Sequence, residues 1–375
     1  MAPPSARDPE VRFTFDGRII RARTGQTVAG ALHAAGVRTL SWSAKFRRAR
    51  GLRCGTGACP GCTVAIDGVG GQLACMTDVR EGARVRRIRP RWLLLPADTL
   101  SSLVAAGFQE SRWLRSSRAW NLAAPWIARL AGQGLVPTPS DAAAAFPAPR
   151  LATRDVDLLV VGGGPRGLSV ATAAAGQGRR VLLVERRSRL GGRLLEQAGG
   201  ADSADALAAA ARAAGVEILL GAQALGAFSE GVEGVSCASL LLAVRATTVV
   251  RATGTLDREI VLPDGDRPGV MLPSAVARLV LVERVRPGAK AVIVRTPEGE
   301  GQARSIAALL RAAGTEIANV CTPDEVRAVV GRTRVSGVRF ARGLVACDLV
   351  VLCAGERRAD ELARQATLPQ EPHVP

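Results

Sequence analysis

The sequence predicts a small α+β domain followed by a larger α/β region built on a doubly wound, mostly parallel sheet. Three observations predict it. A hairpin-and-helix pattern opens the chain at 11–36, four cysteines fall within 54–75, and strand and helix patterns alternate from Asp155 onward, beginning on a glycine-rich turn. The 375 residues allow two or three domains at roughly 150 residues each.

Composition narrows the class. Hydrophobic residues make up 47% of the chain, which is ample for buried cores and excludes a disordered protein. No apolar run approaches the roughly 18 residues that a membrane span needs. The opening MAPPSARDPEVRF has no apolar signal region, so a cytoplasmic protein is expected. The net charge is +17, and arginine carries most of the positive charge. Tyrosine is absent, aromatics are 3%, and no nucleic-acid-reading module is visible, so an acidic partner is expected and nucleic acid is not.

In VRFTFDGRIIRARTGQTVAGALHAAG, alternation in Val11–Phe15 and Ile19–Ala22 brackets Asp16-Gly17, a strong hairpin turn. Thr24 or Thr27 then caps a helix over Ala29–Ala35 that Gly36 closes. A hairpin followed by a helix opens a β-grasp arrangement. The strand CTVAID, ending on Asp67-Gly68, follows the cysteine loop.

That loop reads RCGTGACPGCTVAIDGVGGQLAC, with Cys54, Cys59, Cys62 and Cys75 spaced C-x4-C-x2-C-x12-C. Each iron of a [2Fe-2S] rhomb takes two thiolates beside two bridging sulfides, and this spacing suits a plant-type ferredoxin-like loop. Gly55, Gly57 and Gly61 let the backbone turn and aim N–H groups at sulfur. Zinc is disfavoured because only Cys59 and Cys62 form a close pair. Disulfides are disfavoured by the expected compartment. The arginines 47, 48, 50, 53, 84, 86, 87 and 89 predict a basic collar that offsets cluster charge or docks an acidic partner; the alternative is a solvated basic face. Cys237, Cys321, Cys347 and Cys353 lack ligand spacing, and Cys347 and Cys353, which flank or lie in an apolar strand, read as buried apolar fillers. The two histidines, His33 and His373, show no general-base context; His33 reads as a surface or packing residue.

Residues 93–153 carry most of the tryptophans, several prolines and the run Ala142–Ala145, and are expected to form short connecting helices. From Asp155, DVDLLVV is a buried strand running into Gly162, Gly163, Gly164, Pro165, Arg166 and Gly167, then a helix and the strand RRVLLVERR. G-x-G-x-x-G in this setting is a dinucleotide fingerprint: a tight turn, a close approach for pyrophosphate, and close helix–strand packing. Glu185 ends the second strand, where a carboxylate meets ribose hydroxyls and disfavours a 2′-phosphate. Gly191-Gly192 with Arg193, and Ala252-Thr253-Gly254 after TTVVR, favour FAD over NAD; Arg186 is a further candidate contact. Later strands are expected at VEILLG, LLLAVRA, TTVVRATG, KAVIVRT, TEIANVC and DLVVLCAG, with helices at Ala204–Ala214 and Ala303–Ala313. The second alternation is a degenerate Rossmann unit at about 270–340, because Arg304 stands where its glycine pattern needs Gly.

With these residues in view, the chain resembles the α subunit of heterotetrameric sarcosine oxidase and its relatives, the subunits of hydrogen cyanide synthase, opine oxidase and D-hydroxyproline dehydrogenase. The segments carrying the resemblance are TFDGRIIRARTGQTVAGALHAAG, SAKFRRARGLRCGTGACPGC, DVDLLVVGGGPRGL and ATGTLDREIVLPDGDRPGVML. The resemblance implies an electron-transfer subunit of an amine- or amino-acid-oxidising complex. A separate FAD-dependent D-amino-acid-oxidase-like subunit, with possible further small subunits, would oxidise the C–N bond. It also implies a two-dinucleotide-binding-domain architecture whose dinucleotide is FAD in some members and NAD in sarcosine oxidase itself. Two departures stand out: the Gly-Asp pair that usually closes an FAD domain is missing after DLVVLCAG, and no redox Cys-x-x-Cys follows Gly192. The expected organisation is a [2Fe-2S] domain at 1–92, a connector at 93–153 and an FAD/NAD(P)-binding region at 154–375. The rival readings are a self-contained NADH-dependent reductase and a structural nucleotide-binding subunit.

Overall fold

Asp16 and Gly17 both take left-handed backbone angles, φ 49° and 84°, as a two-residue hairpin turn demands. The computed structural model describes residues 9–43, 48–88, 149–228, 231–237 and 240–367. The turn joins β1 (Glu10–Phe15) to β2 (Arg18–Arg23). Helix α1 (Val28–Ala34) starts on Thr27, whose hydroxyl accepts the Gly30 N–H at 3.1 Å. The short pair β3 (Ser41–Trp42) and β4 (Ala49–Arg50) precedes the cysteine loop. Then come β5 (Thr63–Ile66), β6 (Val69–Leu73) and β7 (Arg84–Arg87). The five-stranded sheet has order β2-β1-β7-β5-β6, with β1 and β7 parallel and the hairpins antiparallel, which is the expected β-grasp.

The chain divides into two compact units, 1–145 with 257–355, and 146–256 with 356–375. The connector expected at 93–153 lies outside the described residues except for its last few, which enter β8.

In the second unit, β8 (Arg150–Val161), helix α2 (Pro165–Gly176) and β9 (Val181–Glu185) form the expected β-α-β. Helix α3 (Gly200–Ala213), β10 (Glu217–Leu220), β11 (Ala222–Ala227), β12 (Val232–Cys237) and β13 (Leu240–Arg251) complete a six-stranded sheet of order β10-β9-β8-β13-β12-β11. LLLAVRA and TTVVRATG, expected as two strands, are the single long β13. It runs parallel to β8 from Leu240 opposite Arg150 to Arg251 opposite Val161, so no turn is needed at Ala246-Thr247. Its first half also pairs antiparallel with β12, so the sheet is mixed where a mostly parallel one was expected. Strand β14 (Thr255–Asp257) leads out of this unit.

In the first unit, β15 (Val270–Met271), helix α4 (Pro273–Leu281), β16 (Lys290–Arg295), helix α5 (Glu300–Ala312) and β17 (Glu316–Cys321) follow. A meander of β18 (Val326–Val330), β19 (Gly337–Phe340) and β20 (Gly343–Ala346) precedes β21 (Leu349–Cys353). The parallel sheet has order β15-β21-β16-β17. DLVVLCAG therefore closes this second sheet. The chain returns to the other unit through β22 (Glu356–Arg358), which pairs with β14, and α6 (Glu361–Thr367).

The β-grasp and the 257–355 segment share one core. Phe13, Phe15, Leu32 and Val85 belong to the same buried cluster as Val276, Leu279, Ile293 and Leu310. Burial of apolar surface at about 25 cal/mol per Å² makes such a common core the main force joining the two. His33 is 3% exposed and its Nε2 lies 2.8 Å from Pro287 O, so it is a packing residue and not a surface one. Burial lowers its pKa to about 4, so the ring is neutral and donates to that carbonyl.

Candidate functional site

The cysteine loop runs from β4 to β5, and Cys75 follows β6, so the four thiols come from the open end of the antiparallel β5–β6 hairpin, where Thr63 is paired with Leu73. Cys54, Cys62 and Cys75 are buried and Cys59 is half-buried. Cys54 shares hydrogen bonds with Cys59 and Cys75, and Cys62 with Cys75. Sharing pulls Cys54 and Cys62 below the ordinary thiol range and pushes Cys59 and Cys75 above it. The Thr56 N–H lies 3.5 Å from Cys54 Sγ, a donor of the kind that stabilises charge on a ligating sulfur. Among the described residues no three His, Cys, Asp or Glu side chains gather as the ligand set of one metal ion. A two-iron rhomb asks instead for two thiolates at each iron, which four neighbouring, mostly buried cysteines suit.

The loop is backed by the 257–355 segment. Gly55 has φ +66°, and a β-carbon there would stand 2.7 Å from Ala275 Cα of α4, so no other residue fits. The Leu272 N–H donates to Arg53 O at 2.9 Å.

The expected basic collar is in large part neutralised within the chain. Arg48 reaches Asp264 at 3.1 Å and Asp266 at 3.0 Å, and Arg50 reaches Asp266 at 2.6 Å. Arg53 Nε donates to Glu259 at 2.9 Å and Nη1 to Gly265 O at 2.7 Å. Arg87 lies near Asp16 and over the rings of Phe15 and Trp42, at 4.8 and 5.7 Å. Arg84 and Arg86 are exposed, while Arg47 and Arg89 lie outside the described residues. The acidic partner of Arg48, Arg50 and Arg53 is thus this chain's own segment 259–266.

In the second unit the glycine loop follows β8 and feeds α2. The Gly162 N–H donates to Val184 O at 2.9 Å, and Gly163 N–H to Glu185 Oε2 at 2.7 Å. Glu185 Oε1 accepts the Arg187 N–H at 2.9 Å, so the carboxylate braces the loop while each oxygen keeps a second lone pair for a ribose hydroxyl. A β-carbon on Gly167 would stand 2.0 Å from Gly162 O, whereas one on Gly164 would meet only Gly192 Cα, at 4.0 Å. The space over Gly164 is therefore a cradle facing Gly191-Gly192. Its donors are the N-terminal N–H groups of α2, which Pro165 opens, and they suit a pyrophosphate. Arg166 and Arg186 are exposed. Arg193 pairs with Glu356 at 2.7 Å. Ala252 N–H donates to Val161 O at 2.8 Å, Thr253 Oγ donates to Ala359 O, and Gly254 O accepts the Ala359 N–H at 3.0 Å.

The second strand–turn–helix, β16 to α5, departs from this fingerprint at its third position, where Arg304 stands in place of glycine. A β-carbon at Gly299 would stand 1.9 Å from Cys353 O, as one at Gly162 would stand 2.4 Å from Ala252 O, and one at Gly301 would meet nothing within 4 Å; Gln302 accepts the Gly355 N–H at 2.9 Å, and Arg304 turns to Glu300 on the surface. Sequence reasoning missed Glu283, 5% exposed, which joins the β-grasp helix to the rest of its unit. No motif surrounds it, so no local signal marks it.

The comparisons agree with this geometry. Residues 8–90 match the 2Fe-2S iron-sulfur cluster binding domain, and residues 157–209 the FAD dependent oxidoreductase family. The fold and site define an oxidoreductase with a [2Fe-2S] domain and an FAD-dependent domain. Sarcosine oxidase subunit alpha of Rhizobium meliloti is 30% identical over 374 residues, 91% of this chain and 37% of that protein. The hydrogen cyanide synthase subunit HcnA of Pseudomonas aeruginosa is 43% identical over 76 residues, 20% of this chain and 72% of that protein. The chain belongs to the family that joins sarcosine oxidase α subunits with HcnA, and it spans little more than a third of the Rhizobium subunit's length. L-proline dehydrogenase from P. horikoshii shares the fold, with a TM-score of 0.71 at 22% identity over 98% of this chain and 65% of that one.

Proposed function

We propose that this chain is the iron–sulfur flavoprotein electron-transfer subunit of a heteromeric amine or amino-acid oxidase or dehydrogenase, acting on a sarcosine-, proline- or opine-like substrate. The C–N bond is oxidised on a companion FAD-dependent subunit of the D-amino-acid-oxidase type, with further small subunits possible, in the cytoplasm. The observation that carries the reading is the pairing of four neighbouring, mostly buried cysteines with an open glycine cradle in one chain that has no general base among its motifs. Among the described residues no helix is long and apolar enough to cross a membrane.

A [2Fe-2S] cluster supplies one-electron transfer when bound. Cys54, Cys59, Cys62 and Cys75 would hold it, with the Thr56 N–H and the Gly55–Ala275 contact fixing the loop. Gly162, Gly163, Gly164, Gly167 and Glu185 would hold the dinucleotide, FAD before NAD, in a two-dinucleotide-domain arrangement whose second fingerprint carries Arg304 where close helix–strand packing needs glycine. The break in the glycine pattern at Arg304 speaks against the NADH-dependent reductase. The test is anaerobic mixing of the assembled complex with sarcosine, L-proline and D-proline, then with NADH. Bleaching by an amine substrate and not by NADH is expected; bleaching by NADH alone overturns the reading.

A further inference from the structure

The β18–β20 meander, Val326–Val330, Gly337–Phe340 and Gly343–Ala346, is charged in one sense only. Residues 326–346 contain Arg327, Arg332, Arg334, Arg339 and Arg342 and no carboxylate side chain. All five are exposed, and among the described residues none forms an ion pair. Asp324 and Glu325, just upstream, are engaged with Thr322: Glu325 Oε2 accepts the Thr322 N–H at 2.7 Å, and Asp324 is hydrogen-bonded to the Thr322 side chain. The inner face is core, with Val329 at 1% and Val338 at 0% exposure. On the outer face Arg339 and Leu344 are cross-strand partners, and Leu344 lies over Gly337 at 59% exposure. Arg342 is in the adjoining turn, and β20 is the sheet's outer strand.

We propose that the outer face of this meander, centred on Arg327, Arg339, Arg342 and Leu344, docks an acidic protein surface of a companion subunit. The proposal rests on the reading of this chain as one subunit of an assembly. Guanidinium groups around an exposed aliphatic side chain are what protein interfaces use, since arginine is enriched in them and an apolar anchor is desolvated at their centre. A nucleic-acid site would use the same charge but not Leu344, and the one aromatic side chain of the meander, Phe340, packs against the buried core and does not stand beside these arginines to stack on bases. The chain already joins its own segments through arginine and aspartate: Arg48 meets Asp264 and Asp266, and Arg50 meets Asp266.

The test isolates the assembly from its native host by a tag on this chain and identifies the companion flavoprotein by mass. Hydrogen exchange is then compared between the assembly and the chain alone, and the salt concentration that splits them is measured. Protection of 326–346 amides in the assembly is expected. R327E/R339E/R342E should weaken association about a hundredfold near 0.15 M salt, while the lysine triple variant retains most of it. L344D serves as a second variant, and the visible cluster spectrum shows that each variant folds. An assembly with no protection at 326–346 and an unchanged salt midpoint in both variants overturns the proposal and leaves the subunit reading standing. A wild-type chain that associates with no companion overturns the subunit reading and this surface with it. Binding of a 20-base-pair DNA duplex in ~0.15 M salt, lost in the triple variant, reassigns the face and overturns the proposal.

Discussion

The carboxylate of Glu283 accepts two hydrogen bonds from Thr27, from the hydroxyl at 2.8 Å and from the backbone N–H at 3.1 Å. Thr27 caps the β-grasp helix, and Ala29 of that helix donates to Ala74 O, beside Cys75. Gln26 Nε2 also donates to Glu283 O at 3.0 Å. One buried residue of the degenerate Rossmann unit thus fixes the helix against which the last cysteine is set.

Glu283→Ala should cost about 2 kcal/mol, because it leaves buried donors without an acceptor. Glu283→Gln should recover most of that, since its amide oxygen still accepts from Thr27. Burial raises the Glu283 pKa above its ordinary value, so its contribution is largest at low pH and falls as pH rises through the folded pKa. Thermal unfolding of both variants at pH 5 and pH 8 checks this: Glu283→Gln should show the weaker pH dependence.

His33 has the opposite sign. Its folded pKa of about 4 lies below the ordinary 6.5, so the unfolded chain binds the extra proton between those values. Stability attributable to His33 is complete above pH ~6.5 and should fall by about 2 kcal/mol by pH ~5. Denaturant midpoints of wild type and His33→Gln across this range measure it, and parallel curves would contradict the assignment.

The two glycines of the fingerprint separate folding from binding. Gly167→Ala forces a methyl group onto Gly162 O, 2.0 Å away, and should destabilise the unit by roughly 2 kcal/mol. Gly164→Ala meets nothing nearer than Gly192 Cα at 4.0 Å, so it should fold normally yet lose dinucleotide, because the methyl group fills the cradle. Flavin content per folded chain is the readout.

The remaining cysteines should be silent. Burial pushes the thiols of Cys321 and Cys353 up to about 12 and that of Cys347 to about 11. None should react with iodoacetamide in the native protein near neutral pH, and Cys347→Ala should leave iron content unchanged. Cys54→Ala should reduce iron to background.

Much of this was legible in the sequence where chemistry is local. Asp16-Gly17 fixes a hairpin, Thr27 a helix start, and Gly162 to Gly167 a strand-to-helix turn, because each acts on its immediate neighbours. Helix α4 was not legible: PSAVARLVL is apolar on most sides, and periodicity does not separate such a run from a buried strand. The meander was hidden for a similar reason, since its strands are four or five residues long. The partners of Arg48, Arg50 and Arg53 lie more than 200 positions away, and a charge count does not pair such residues. Glu283 and Thr27 are 256 positions apart and carry no motif between them.

The most direct measurement is low-temperature EPR of the protein isolated without oxygen, with iron and acid-labile sulfide counted on the same sample. The account predicts about two irons and two sulfides per chain and a spin-one-half signal that appears on one-electron reduction and vanishes in Cys54→Ala. A colourless, iron-free protein that stays so after reconstitution would contradict it.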